Sequence, residues 1–312
     1  MRKYIMKRLL HLVPVLFGIT FLTFALTYFS PGDPALLMLS ATGVTPSPEL
    51  VQKVREELGL NNPFLFQYLH WLGGVFTGNF GTSYKYSRPV LDLILVALPA
   101  TFKLAGASLV MMMFIALPLG ITSALHKNKA LDYIIRIISF FGISMPGFWV
   151  GLLLMYIFSI KFKLLPVVGD TGWKSIILPA VTLTIAMASK YTRQLRAAIL
   201  EEISKDYVIG AKARGVKDSA ILFGHVLKSS LLSIVTLLGL SLGSLLGGTA
   251  IVETIFSWPG VGKLAVEAIF NRDYPVIQGY VVWMTVIYVL INMIVDISYY
   301  FLDPRIRLEK RA

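Results

Sequence analysis

Side chains able to do chemistry are few in this sequence, and their spacing is against most reactions. Cysteine is absent, which excludes thiolate metal sites, cysteine nucleophiles and structural disulfides. The four histidines, His11, His70, His126 and His225, lie far apart, and none has a partner at metal-ligand spacing. Gly260-Val-Gly-Lys-Leu comes nearest to a phosphate-binding loop, but it lacks the required spacing and the Ser or Thr after the lysine. No Ser/His/Asp or metal-hydrolase arrangement stands out, so no catalytic residue and no protein-bound metal is expected. Met111, Met112 and Met113 offer soft sulfur ligands, but three consecutive helical residues point to different faces, and apolar filling is the preferred reading. Asp296 is the one carboxylate well inside an apolar stretch. An intramembrane acid marks a functional site by default, while snorkelling or pairing near the boundary is an equal alternative. Gly239, Gly243 and Gly247 recur every four residues. That stripe permits close helix packing, the favoured reading, or lines a passage.

The elements that position these residues are membrane helices. Of 312 residues, 56% are hydrophobic and 15% charged, with a mean hydropathy of +0.71. Soluble domains average about a quarter charged, so lipid is the solvent this composition fits. A spanning helix needs about 20 mainly apolar residues. Six stretches qualify: Leu9–Phe29, Leu104–Leu125, Ile134–Ser159, Ser175–Ala188, Leu231–Val252 and Gly279–Leu302. The fold class is therefore an all-α polytopic membrane protein. The fourth stretch is the weakest and is expected to continue as helix into the basic segment that follows. The first has basic residues before it, like a secretory leader, but its apolar run is too long and no small-residue cleavage site follows.

Charge gives the orientation. Segments 1–11, 126–136, 190–230 and 303–312 hold 19 of the 29 basic residues and 7 of the 17 acids. The alternate segments 30–103, 160–174 and 253–278 hold 10 bases and 9 acids. The positive-inside rule then places both termini in the cytoplasm of a cell (inner) membrane protein. The net charge of +12 is thus a topology signal, not a nucleic-acid footprint.

This reading divides the chain into an N-terminal helix (1–30), an extracytoplasmic loop with short helices (31–96), a five-helix core (97–302) and a cytoplasmic tail (303–312). In the loop, Ser47-Pro-Glu starts a helix with Ser as N-cap, and Gly59 closes it. The aromatic run Pro63 to Leu72 suits the membrane–water boundary, as an interfacial helix or as a landing surface for an external protein. Within the core, segment 190–230 is hydrophilic and carries Gly210, Gly215 and Gly224. Asp206-Tyr-Val-Ile-Gly-Ala-Lys-Ala-Arg-Gly-Val predicts a short helix ended at Gly215, and Asp218 or Ser219 starts the next. Two short helices joined at a glycine bend would project from the membrane, where another protein can grip them.

The sequence resembles the permeases of the dipeptide, oligopeptide and nickel ABC importers nearly end to end. The resemblance rests on Tyr4-Ile-Met-Lys-Arg-Leu-Leu, Ser30-Pro-Gly-Asp-Pro, Leu58-Gly-Leu-Asn-Asn-Pro with Gln67-Tyr, Phe80-Gly-Thr-Ser-Tyr and Leu98-Pro-Ala-Thr. It continues in Ser144-Met-Pro-Gly-Phe-Trp, Glu253-Thr-Ile-Phe-Ser-Trp-Pro-Gly-Val-Gly, Arg272-Asp-Tyr-Pro-Val and Asp303-Pro-Arg-Ile-Arg. The resemblance implies a type I ABC importer permease fold. Its cytoplasmic coupling motif would be Asp206, Tyr207, Ala211, Lys212, Ala213, Arg214, Gly215 and Val216, with His225, seated in a cleft of an ATPase subunit. Ile209 stands where the wider superfamily has Glu, and Ser233 where the family often has Pro. Gly239, Gly243, Gly247 and Asp296 would be candidates for the translocation path.

The implied partners are a second homologous permease, two ATP-binding cassette ATPases that bind ATP and Mg, an extracytoplasmic solute-binding protein and the lipid bilayer. No cofactor is expected in this chain. The implied solute is nickel, as ion or chelate, or a di- or oligopeptide, with a slight lean to nickel. The alternatives are an ion-gradient-driven transporter acting alone, for which one intramembrane Asp is thin support, and a membrane-anchored receptor or scaffold without transport.

Overall fold

In hydrocarbon, every backbone N–H and C=O must be satisfied within its own segment, which favours helices. A computed structural model gives the structure and describes residues 2–41, 46–168, 172–230, 245 and 249–302. Among them every regular element is helical, apart from a single bridge between Thr82 and Pro89. The chain divides into two compact units, Met1–Pro99 with Gly260–Met293 and Ala100–Pro259 with Ile294–Ala312.

The first unit holds α1 (Arg2–Tyr28), α2 (Pro34–Ala41), α3 (Pro48–Glu57), α4 (Phe64–Phe76), the start of α5 (Val90–Leu125), α12 (Val261–Phe270) and most of α13 (Tyr274–Leu302). α3 begins as its residues dictate: the Ser47 side chain accepts from Leu50 N–H at 3.2 Å, and Gly59 adopts φ +66° beyond the last turn. The aromatic run forms α4, and it divides by face. Tyr68 and Leu72 pack with Phe24 of α1, and the Tyr68 hydroxyl lies 3.1 Å from Thr20 Oγ1, while Leu65, Phe66, Leu69 and Phe76 stay exposed.

The second unit holds the rest of α5, α6 (Ala130–Ser144), α7 (Gly147–Leu154), α8 (Ile177–Ile203), α9 (Asp206–Ala213), α10 (Asp218–Ile221) and the helical residues 249–255, α11. π-helical turns, Met155–Lys161 and Leu222–Val226, follow α7 and α10.

Three of the expected spans change shape. The second begins at Val90 instead of Leu104 and runs 36 residues through Pro99, about 54 Å at 1.5 Å per residue and well beyond an apolar core of about 30 Å. The third is not one helix. α6 and the α7 pair are bent by 101° at Met145-Pro146, where Met145 is extended at ψ 131°. A proline excludes its predecessor from the helical region and lacks the N–H that would continue the ladder. The fourth runs on to Ile203, as its basic continuation predicted. Residues 231–244 and 246–248 of the expected fifth span lie outside the described residues. Among the described residues, Val90–Leu125 and Tyr274–Val295 are each long and apolar enough to cross a membrane, and the bent pair taken together is a third candidate.

Candidate coupling segment and its supports

α8 carries Tyr191, Leu195 and Ile199 four residues apart, all buried. They form one apolar cluster with Val208 and Ala211 of α9 and with Ile221, Leu222 and Val226 beyond it. α9 therefore sits on the end of α8 through a narrow stripe, Val208 and Ala211, three residues apart. Its other residues face outward: Tyr207 is 40% and Ile209 60% exposed, and Lys212 to Val216 are exposed throughout. Asp206 in the first turn suits the helix dipole. The helix closes on Gly215 at φ +78°, whose N–H donates to Lys212 O at 2.9 Å, while Val216 N–H donates to Ala211 O at 3.2 Å. This is a left-handed cap of the kind glycine favours. A Cβ added at Gly215 would meet nothing within 4 Å, so the backbone angle, not space, calls for glycine.

The bend beyond it is held by side chains. Lys212 Nζ lies 3.0 Å from Asp218, and the Tyr207 ring meets His225 edge-on at 6.5 Å. The Tyr207 hydroxyl donates to Glu202 Oε1 at 3.0 Å, and Lys205 pairs with the same carboxylate. Burial pushes Glu202 up, but the hydrogen bonds from Lys205 and Tyr207 outweigh it and hold the carboxyl below its usual value. Burial, then donation to that carboxylate, pushes Tyr207 up to about 12. Sequence reasoning did not single out Glu202. The Lys and Tyr three and five residues after it were the available signal.

A second support lies beneath α8. Asp132, fully buried at the start of α6, takes Arg196 Nε and Nη2 at 2.7 Å each, Ser123 Oγ at 2.6 Å and Asn128 N–H at 3.0 Å. Both carboxylate oxygens are thus engaged, and α5, the following turn and α6 are tied to α8. Neither partner was singled out in the sequence, because an Asp in a first turn reads as an ordinary dipole partner.

Motifs distant in sequence meet inside each unit. In the first, Asp273 accepts from Ser83 Oγ at 2.5 Å, Tyr84 N–H at 3.1 Å and Lys85 N–H at 3.2 Å. Arg272 Nη1 donates to Pro31 O at 3.0 Å. The Tyr86 hydroxyl donates to Glu267 at 2.6 Å, with Lys85 Nζ 3.5 Å away. In the second, Thr101 Oγ1 donates to the fully buried Glu253 at 2.7 Å, and Trp258 Nε1 to Ala100 O at 2.8 Å.

Other predicted residues fall as follows. Gly239, Gly243 and Gly247 lie outside the described residues, and Asp296 lies on α13. The three methionines diverge: Met112 is buried in the α8 cluster, Met111 packs beside Leu104 and Trp258, and Met113 is exposed. Gly260 precedes α12 at φ −99°. Among the described residues no group of three or more His, Asp or Glu side chains is arranged to hold a metal.

Two family profiles match. Residues 116–308 match the binding-protein-dependent transport system inner membrane component, and residues 1–105 match the N-terminal part of such membrane components. The chain is 39% identical over 309 residues to the metal-staphylopine import system permease protein CntB of Staphylococcus aureus, covering 98% of this chain and 99% of that protein. It is likewise 39% identical over 321 residues to the oligopeptide transport system permease protein AppB of Bacillus subtilis, covering 98% and 99%. A solved inward-facing structure of the MetNI methionine ABC transporter superposes with a TM-score of 0.60 at 18% identity, covering 68% of this chain and 97% of that one. That likeness concerns the fold.

Proposed function

The chain belongs to the family of binding-protein-dependent transport system inner membrane components, and we propose that it is one of two related permeases in an ATP-driven importer. Its relatives are membrane permease subunits of import systems, and the chain is a multi-pass membrane protein of that kind. In the proposed topology six spans cross the cell membrane with both termini in the cytoplasm, supported by the excess of bases in alternate segments. The five-helix core 97–302 carries the path and the tail 303–312 is cytoplasmic; Gly239, Gly243, Gly247 and Asp296 remain path candidates.

The observation that carries the reading is α9. It is held to α8 by Val208 and Ala211 and by the bonds to Glu202, it is capped at Gly215, and it offers Ile209 outward, with Arg214 and Val216 exposed just beyond it. Such a face suits a cleft in an ATPase subunit, which would bind the ATP and Mg. ATP acts by differential stability: closure of the ATPase pair favours one permease conformation over the other, and α8 transmits the shift. The solute, handed over by an external binding protein, is a metal chelate or a short peptide. Nickel remains the favoured metal, carried as a chelate and not as a bare ion.

Reconstitution tests this. The chain is assembled with its sister permease, the ATPases and the binding protein in vesicles, and uptake is driven by ATP or by a proton gradient. ATP-dependent uptake that needs every partner is expected. Gradient-driven uptake by this chain without ATPases would overturn the reading.

A further inference from the structure

One face of α6 has no part in the coupling segment or its supports. Asp132, Ile135, Ser139 and Gly142, spaced three and four apart, form its buried seam. A Cβ on Gly142 would overlap the Ser189 side chain, so α6 and α8 are in close contact there. Beside the seam, Tyr133, Arg136, Ile137, Phe140 and Phe141 form an exposed stripe, and with Arg193 and Arg196 of α8 they line a cavity of about 600 Å³.

No carboxylate lines this cavity. Asp132, bonded to Arg196 from the seam, has both oxygens occupied, and Arg196 commits only Nε and Nη2 to it. The Arg136 guanidinium lies 5.6 Å over the Tyr133 ring. The crevice therefore presents guanidinium groups in excess of acids, next to Ile137, Phe140 and Phe141, which are 55, 61 and 58% exposed. Water would leave that apolar row uncovered, and a purely apolar partner would leave the guanidiniums unanswered.

We propose that this crevice binds an anionic phospholipid, with the phosphate diester among Arg136, Arg193 and Arg196 and an acyl chain along Ile137, Phe140 and Phe141. Guanidinium donors fit phosphate oxygens two at a time, and basic pockets between membrane helices are suited to anionic headgroups. The inference rests on the proposed topology only for which leaflet supplies the lipid. Because Arg196 also holds Asp132, the bound phosphate sits beside the pin that ties α6 to α8.

The test uses the purified complex in neutral detergent, where orientation is irrelevant, so its failure is separate from failure of the importer reading. Phosphatidylglycerol, phosphatidylcholine and soluble glycerol phosphate are added, and retention is read by native mass spectrometry and by thermal unfolding. Phosphatidylglycerol is expected to be retained and to raise the unfolding temperature, while the other two do neither. The double variant Arg136→Gln with Arg193→Gln, which spares the Arg196 pin, is expected to retain phosphatidylglycerol at least about tenfold less, with the complex intact. Equal retention by the variant, or equal competition by glycerol phosphate, would overturn the proposal. So would loss of the sister permease from the variant complex, which would make this face a subunit interface.

Discussion

Glu202 with Tyr207 and Lys205, and Glu267 with Tyr86 and Lys85, are the same three residue types in contact, built at opposite ranges. The first triad lies within six residues and fastens α9 to the end of α8. The second joins residues 181 and 182 apart and, with Asp273 and its three donors, welds the turn after Phe80 to the segment around α12. A locally fastened element can be carried as a unit by the helix it ends, and its outward face stays available. A weld between distant segments commits its polar groups to each other. On the proposed coupling, range therefore separates the region that is pushed from the one that holds.

Breaking the weld is expected to have the largest energetic effect. Asp273→Ala strands the Ser83 hydroxyl and two backbone N–H groups, and Asp273 is 1% exposed. Losing a charged acceptor shared by one buried and two part-buried donors costs about 3 kcal/mol, read as a lower unfolding temperature and poorer insertion. Gly215→Trp should act the other way round. It lowers the unfolding temperature less than Asp273→Ala does, because the added side chain meets no atom of this chain within 4 Å of its Cβ and only the backbone strain at φ +78°, about 1–2 kcal/mol, is felt. Uptake should nonetheless fall at least about tenfold, a coupling loss of ~1.4 kcal/mol. A Gly215→Trp protein that melts early but transports normally would reverse the contrast.

The smallest effect is on pH. The Tyr86 hydrogen bond, opposed by burial and aided by Lys85, holds Glu267 below its ordinary value of 4.5. The folded pKa lies below the unfolded one, so this contribution is complete above about pH 4.5 and is lost as pH falls through the folded pKa. Glu267 and Lys85 are each about a third exposed, so solvent screens the pair and the effect is small. Tyr86→Phe should flatten the acid limb of thermal stability, and Tyr207→Phe should flatten it as well, because Glu202 is held below its usual value by the same kind of bond and its side chain is only 11% exposed.

Much of this was legible in the sequence. Apolar run length located α1, α5, α8 and α13 in outline, and Ser47, Gly59 and Gly215 marked helix ends through backbone angles that depend on a residue and its immediate neighbours. What escaped depends on contacts across distance. Pro146 stood in plain view, yet the apolar run around it reads as one span, because hydropathy averages over a bend that a proline makes locally. Ser83 and Asp273 are 190 residues apart, and no periodicity links them. Asp132 and Arg196 looked like ordinary boundary charges until the packing of α6 on α8 brought them within 2.7 Å. The length of α5 was missed because a search for about 20 apolar residues stops at Lys103, whereas the helix runs back through Pro99 to Val90.

In the proposed assembly, α9 is the surface an ATPase grips. The chain contains no cysteine, so Ile209→Cys, at a position 60% exposed on α9, gives it a single thiol. In the assembled complex, a short bifunctional thiol reagent is predicted to join that cysteine to an ATPase subunit, with a yield that changes when ATP is added. Absence of any such cross-link in a complex that still performs ATP-driven uptake would contradict the account.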